Sequence, residues 1–171
     1  MKSLKPAKIA VLALMVTLSM MLSYLEHILV LPTGIPGIKL GLSNLLVVFL
    51  LYLYGWREAG IVNLLRILLS GLLFGNAFGL LFSLSGAALS FIGMVIAKRS
   101  GLLGQVGVSV LGGVLHNVAQ LIAAAVCFSL LQIRYFLPYL LIAGLVTGLF
   151  NGAVAKLLLS RSRDILQGSQ S

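Results

Sequence analysis

Leu31-Pro32-Thr33-Gly34-Ile35-Pro36-Gly37-Ile38-Lys39-Leu40-Gly41-Leu42-Ser43-Asn44 sets two prolines and three glycines between long apolar runs. Proline fixes φ and removes a donor, and glycine lets the backbone turn sharply, so neither helix nor strand should continue through this stretch. It reads as an ordered loop. It also delivers Lys39, Ser43 and Asn44 to the start of the next apolar run, at a depth where a bilayer makes polar side chains expensive. A membrane protein would build a recognition site in this way.

Working outward, the composition agrees with that setting. The chain is 60% hydrophobic and 9% charged, with a mean hydropathy of +1.15. Such a chain has too little polar surface to cover a soluble globule. Its 171 residues allow roughly six spanning helices at about 25 residues each, in a single domain. Cys127 is the lone cysteine, which excludes a disulfide within the chain and argues against a cysteine-based metal site. It reads as a small buried apolar residue. No metal site is expected.

Lys2, Lys5 and Lys8 precede a first span from about Ile9 to Val30, longer than a signal-peptide core and without a small-x-small cleavage site before Glu26 and His27. The second span runs from about Leu40 to Tyr54, closed by Tyr52, Tyr54 and Trp56, whose rings suit an interface. Arg57 and Glu58 mark a tight turn. A third span extends from Ala59 to Phe74, broken at Gly75-Asn76, and a fourth from Ala77 to Ala97, stopped by Lys98-Arg99. The fifth covers Val106 to Leu131, and the sixth Tyr135 to Leu159. Residues 1–160 thus form one transmembrane domain, and residues 161–171, opening with Arg161, Arg163 and Asp164, a frayed polar tail.

The net charge of +9 could suggest a nucleic-acid partner, but the basic residues sit in ones to threes between apolar segments, not along one basic face. Topology accounts for them. Six crossings from a cytoplasmic start place Lys2, Lys5, Lys8, Arg57, Lys98, Arg99, Lys156, Arg161 and Arg163 inside, nine of the twelve. Both termini are then cytoplasmic, in a multi-pass protein of the cell membrane. The apolar runs are long and continuous, not alternating with period two, so the expected class is all-α, a six-helix bundle and not a barrel. Gly71, Gly75 and Gly79, and again Gly144, Gly148 and Gly152, recur at four-residue spacing. Close helix packing is the plain reading; room for a ligand is the alternative.

Function is carried by polar residues at membrane depth. Arg66 falls near the middle of the third span, where an unpaired arginine costs at least about 2.5 kcal/mol. Asn63 shares its face, three residues away, and His116 and Gln120 share another, four apart, with Asn117 alongside. Arg66 and His116 come to similar depth, so they are expected to line one cavity between the third and fifth spans. Glu26 is the plausible acidic partner for a buried cation, because Glu58 sits beside Arg57 and Asp164 lies in the tail. A cavity lined by Lys39, Arg66 and His116 would be cationic and would favour phosphate, diphosphate or carboxylate. For His116, Asn117 and Asn151 an interhelical hydrogen bond is the competing reading.

Enzyme chemistry is poorly provided for. Prenyl transfer needs clustered aspartates to hold magnesium, and the chain has one, Asp164. It has no Gly-x-Ser-x-Gly elbow, no HExxH and no Walker sequence. The expectation is a non-enzyme without a cofactor of its own.

Ile35 to Asn44, then Gly55-Trp56-Arg57-Glu58-Ala59, Arg66, Leu68 to Gly71, Ser83 to Ser90 with Met94, Gly107 to Gly113, His116 to Gln120 and Leu137-Pro138 together resemble the Gx transporter family, also called heptaprenyl diphosphate synthase component I. The resemblance covers about Ile9 to Lys156. It implies a six-helix protein akin to the substrate-binding S components of energy-coupling factor (ECF) transporters. Such a component takes a vitamin-like or precursor molecule from outside and docks on a transmembrane T subunit with two ATPases, which supply the ATP step. Ala7, Ala10 and Ala13 offer small residues on the first helix, at three-residue spacing where S components use four. The implied site has Lys39 and Asn44 at its mouth, Arg66 on an anionic group, His116, Asn117 and Gln120 orienting the ligand, and a lid containing Pro32, Gly34, Pro36 and Gly37. The family's second name implies instead a noncatalytic membrane subunit of a prenyl diphosphate synthase. A structural partner in a quinone-linked redox complex is a further alternative.

Overall fold

The computed structural model describes residues 6–28, 41–74, 77–128 and 135–168. Among them are six α-helices: α1 (Pro6–Ile28), α2 (Leu42–Leu53), α3 (Trp56–Phe74), α4 (Ala77–Ser100), α5 (Gln105–Phe128) and α6 (Leu137–Gly168). Four of these, α1, α4, α5 and α6, are long and apolar enough to cross a membrane. Helix α2 has 12 residues, or about 18 Å at 1.5 Å per residue, short of a hydrocarbon core about 30 Å thick. Helix α3 has 19 residues and carries Arg57, Glu58 and Arg66. Large side chains on the bundle's outside are apolar, Leu72 and Val126 among them, as a surface facing lipid requires.

The short helix occupies the centre. Apolar on all sides, α2 buries every residue from Leu45 to Leu51, the pattern of a helix surrounded by protein. It packs on α1, α3, α5 and α6, while the outer helices follow one another as α1·α3, α3·α4, α4·α5 and α5·α6. Its start is set by Gly41 at φ +68° and its end is followed by Gly55 at φ +104°, backbone conformations that glycine adopts without a Cβ clash.

Several boundaries differ from the sequence reading. Arg57 and Glu58 are not a tight turn: the turn is Tyr54-Gly55, and α3 begins at Trp56. Helix α6 runs through Arg161 to Gly168 instead of stopping at Leu159, since nothing in Arg161 to Gln167 breaks a helix. Cys127 is exposed on the bundle surface rather than buried. Gly75 and Asn76 lie outside the described residues.

The glycines at 144, 148 and 152 pack helices. A Cβ on Gly148 would meet Val110 Cα at 2.6 Å, one on Gly152 would meet Val106 Cα at 2.9 Å, and Gly144 lies directly on Gly113. The two backbones therefore touch along α5 and α6, the small-residue packing that lipid permits. A leucine at Gly148 has no space to enter. Gly148→Leu is expected to lower stability by at least the roughly 1–3 kcal/mol typical of overpacking, whereas Leu149→Ala on the exposed face should change little; thermal melting in detergent checks both.

Candidate functional site

The site is built where α2 ends inside the bundle. The first N–H groups of a helix have no partner within it and carry the positive end of its dipole. Gly41 precedes Leu42 and offers no side-chain cap. The acceptor comes from another helix: Glu26 of α1 takes the N–H of Leu42 on Oε1 at 2.5 Å and the hydroxyl of Ser43 on Oε2 at 3.3 Å. Asn151 of α6 donates from Nδ2 to the carbonyl of Gly41 at 2.6 Å. Three helices thus fix one helix terminus.

Arg66 completes the arrangement from α3. Its Nη1 donates to Ser43 Oγ at 2.6 Å and to Ser23 Oγ at 3.3 Å, and its Nη2 donates to Asn63 Oδ1 at 2.6 Å. Ser43 therefore links the arginine to Glu26, the negative charge that acts on it. Ser43, Asn63 and Arg66 are all buried, Arg66 to 8% exposure. A guanidinium has five N–H donors, and three are used in these bonds. Among the described residues Nε is buried and has no acceptor. Arg66 lies ten positions beyond Trp56, about 15 Å along α3.

Asn63 also borders a cleft between α3 and α4 of about 170 Å³, lined by Leu64, Ile67, Leu84, Ala87 and Phe91. Its walls are apolar apart from that one amide, and Arg66, which bonds to Asn63, does not itself line it.

The remaining expected site residues are distributed differently. His116 and Gln120 press on Gly86 of α4, where a Cβ would come within 2.8 Å of His116 Cε1 and 3.0 Å of Gln120 Cγ. Asn117 turns the other way and donates to the carbonyl of Leu140 at 2.8 Å, tying α5 to α6. Arg66 reaches toward α1 and α2 while His116 reaches toward α4, so the cavity expected between the third and fifth spans is not what these side chains form. The cleft beside Asn63 lies one helix over. Asn44 is half-buried with its backbone N–H on the carbonyl of Gly41 at 2.9 Å; its neighbour Ser43 is the residue that meets Arg66. Lys39 and the expected lid residues Pro32, Gly34, Pro36 and Gly37 lie outside the described residues.

The sequence reading does not make Ser23 and Ser43 partners of Arg66, and it includes Ser90 of α4 only among the family motifs, not as a site residue. Ser23 had a signal, since it stands three residues before Glu26 on the same face of α1. Ser90 is 1% exposed, and among the described residues its Oγ and the buried Oε1 of Gln120 have no partner. Among the described residues no group of three or more His, Cys, Asp or Glu is placed to hold a metal ion.

At the other end of α2 the charges gather. Lys8 pairs with Glu58 at 2.5 Å, and Lys98 Nζ donates to the carbonyl of Leu51 at 2.6 Å. The hydrogen bond from Lys8 holds the Glu58 carboxyl below the usual carboxylate range.

The chain belongs to the family described as heptaprenyl diphosphate synthase component I, whose model matches residues 15–158. This is the family its motifs resemble. No curated protein and no solved structure matches the chain.

Two outcomes follow from this geometry. Glu26→Ala removes the acceptor of the Leu42 N–H and Arg66→Ala removes the donor to Ser43, Ser23 and Asn63, so each should cost on the order of 1–3 kcal/mol. The double variant should cost clearly less than their sum, as thermal melts of all four proteins would show. Glu58 lies outside the spans, and its depressed pKa means that the Lys8 pair stabilises above the ordinary carboxylate range and loses that contribution as pH falls through it. The melting difference between the wild type and Glu58→Gln should therefore be present at neutral pH and vanish in acid; a difference independent of pH would contradict the pairing.

Proposed function

We propose that this member of the heptaprenyl diphosphate synthase component I family is a membrane-embedded, noncatalytic binding subunit for an amphiphilic anion of the isoprenoid or quinone-precursor kind, acting in uptake as an S-component-like protein. The observation that carries the reading is the spare Nε of buried Arg66 beside an amide that lines an apolar cleft. A guanidinium edge suits carboxylate or phosphate. The α3–α4 cleft takes the apolar part, and Asn63 sits where the two meet. Gln120 and His116, facing α4, together with Asn44 and Lys39, belong to the same proposal as outer contacts.

In this reading the chain crosses the cell membrane six times with both termini in the cytoplasm, the side on which Lys8, Arg57, Lys98 and Arg99 gather. Transport would then draw on an ECF T subunit and two ATPases, because the chain carries no nucleotide motif. The family match favours a second reading, in which the same site presents an isoprenoid diphosphate to a catalytic second component of a heptaprenyl diphosphate synthase. Both readings share the ligand chemistry and differ in the partner.

Purified protein should bind farnesyl phosphate more tightly than farnesol, because only the former engages Arg66. Arg66→Lys keeps the charge but loses the fork, and should weaken farnesyl phosphate by about 2 kcal/mol, roughly thirtyfold, with little effect on farnesol. Calorimetry in detergent checks this; equal binding of phosphate and alcohol would overturn the anionic site. Vesicles that accumulate the ligand only when the T subunit and ATPases are added would support uptake, and a changed prenyl chain length on co-expression with a catalytic component would support the synthase reading.

A further inference from the structure

A second cationic feature lies at the opposite end of α2 from Arg66 and is not used by the proposed ligand site. Trp56, the first residue of α3, is 47% exposed, and two guanidinium groups approach its ring, Arg57 at 5.4 Å and Arg99 of α4 at 5.7 Å from the ring centre. Both arginines are exposed. Glu58, beside Arg57 in the chain, is paired with Lys8 and also feels the Arg57 charge. Two exposed like charges from different helices thus approach one indole, an arrangement that an anion with several oxygens would stabilise.

The apolar surface on the same helices shows where that anion resides. Counting inward along the bundle from Arg57, Ile61 follows four residues on; counting inward from Arg99, Ile96 and Ile92 follow at three and seven. All three are more than half exposed, and the spacings place each series on one helix face. Each arginine therefore ends a stripe of lipid-facing side chains, at the level where acyl chains give way to headgroups. Trp56 has the position and half-exposure of an interfacial anchor.

We infer that Arg57 and Arg99, stacked on Trp56, form a binding site for the phosphate of an anionic membrane lipid, its acyl chains lying along Ile61, Ile92 and Ile96. A soluble anion would lack the apolar contacts. A general attraction of basic residues to an anionic surface would not depend on this pair over Lys156 and Arg161, which lie toward the same end on α6.

Trp56 is the chain's only tryptophan, so its fluorescence reports this site alone. The full chain is reconstituted in phosphatidylcholine vesicles containing a small share of either brominated phosphatidylglycerol or brominated phosphatidylcholine. Brominated phosphatidylglycerol should quench Trp56 at lower mole fraction than brominated phosphatidylcholine. Arg57→Gln and Arg99→Gln should each reduce that preference about fivefold, and the double variant should abolish it, while Lys156→Gln/Arg161→Gln should keep it. Melting curves of the variants in detergent matching the wild type would show that the fold is intact. Equal quenching by both lipids, a preference that survives the Arg57/Arg99 double variant, or one lost equally in the Lys156/Arg161 control would overturn the site. Loss of the preference on adding inorganic phosphate would also overturn it, by assigning the pair to a free anion.

Discussion

The structure depends on one helix terminus being satisfied in oil. Helix α2 starts within the bundle, so its leading N–H groups and the positive end of its dipole cannot be left to water. Glu26 supplies the acceptor from α1, and its carboxylate in turn needs a positive neighbour. Arg66 is that neighbour, reached through Ser43. Each charge makes the other tolerable, and both become necessary once α2 is short. The arginine is therefore structural in origin, and anchoring it through Nη1 and Nη2 leaves Nε held in a fixed direction, without an acceptor among the described residues.

The rest of the bundle is arranged to keep this centre in register. Backbone contact between Gly113, Gly144, Gly148 and their neighbours locks α5 to α6, and Asn151 on α6 then reaches the carbonyl of Gly41 at the beginning of α2. Asn117 adds a side-chain tie between α5 and α6. On the other side α3 packs against α1 and α2, which brings Ser23, Ser43 and Arg66 together. The apolar cleft opens between α3 and α4, next to Asn63. Glu26, Ser43, Asn63, Asn117 and Asn151 occupy defined places because each satisfies a group that an apolar interior would leave bare.

Much of this was legible in the sequence and some was not, for a physical reason. Hydropathy reports how deep a residue lies, and spacing reports which residues share a face. Hence Asn63 with Arg66, His116 with Gln120, the glycines of α6 and, to within two residues, the start of α2 could be read directly. Rotation of a helix about its axis leaves depth unchanged. That is why His116 was expected to face Arg66 and instead faces Gly86, and why Asn117 was grouped with the ligand residues although it bonds to α6. The start of α3 at Trp56 was hidden because Arg57 and Glu58 resemble a loop by polarity, yet sit in the first turn of a helix, where an acidic residue such as Glu58 is favoured. Ser23 and Ser43 were underrated because a hydroxyl in an apolar run ordinarily bonds to its own helix.

The central claim is that Arg66 holds a buried Nε–H in reserve for an anionic group. Arginine Nε–H resonances of the protein in detergent, labelled with nitrogen-15 and assigned by Arg66→Lys, test it directly. The account predicts one strongly protected Nε–H belonging to Arg66 that shifts when farnesyl phosphate is added and stays in place with farnesol. An Arg66 Nε–H that exchanges as fast as those of Arg57 and Arg99, or one that stays unchanged while farnesyl phosphate is bound, would contradict it.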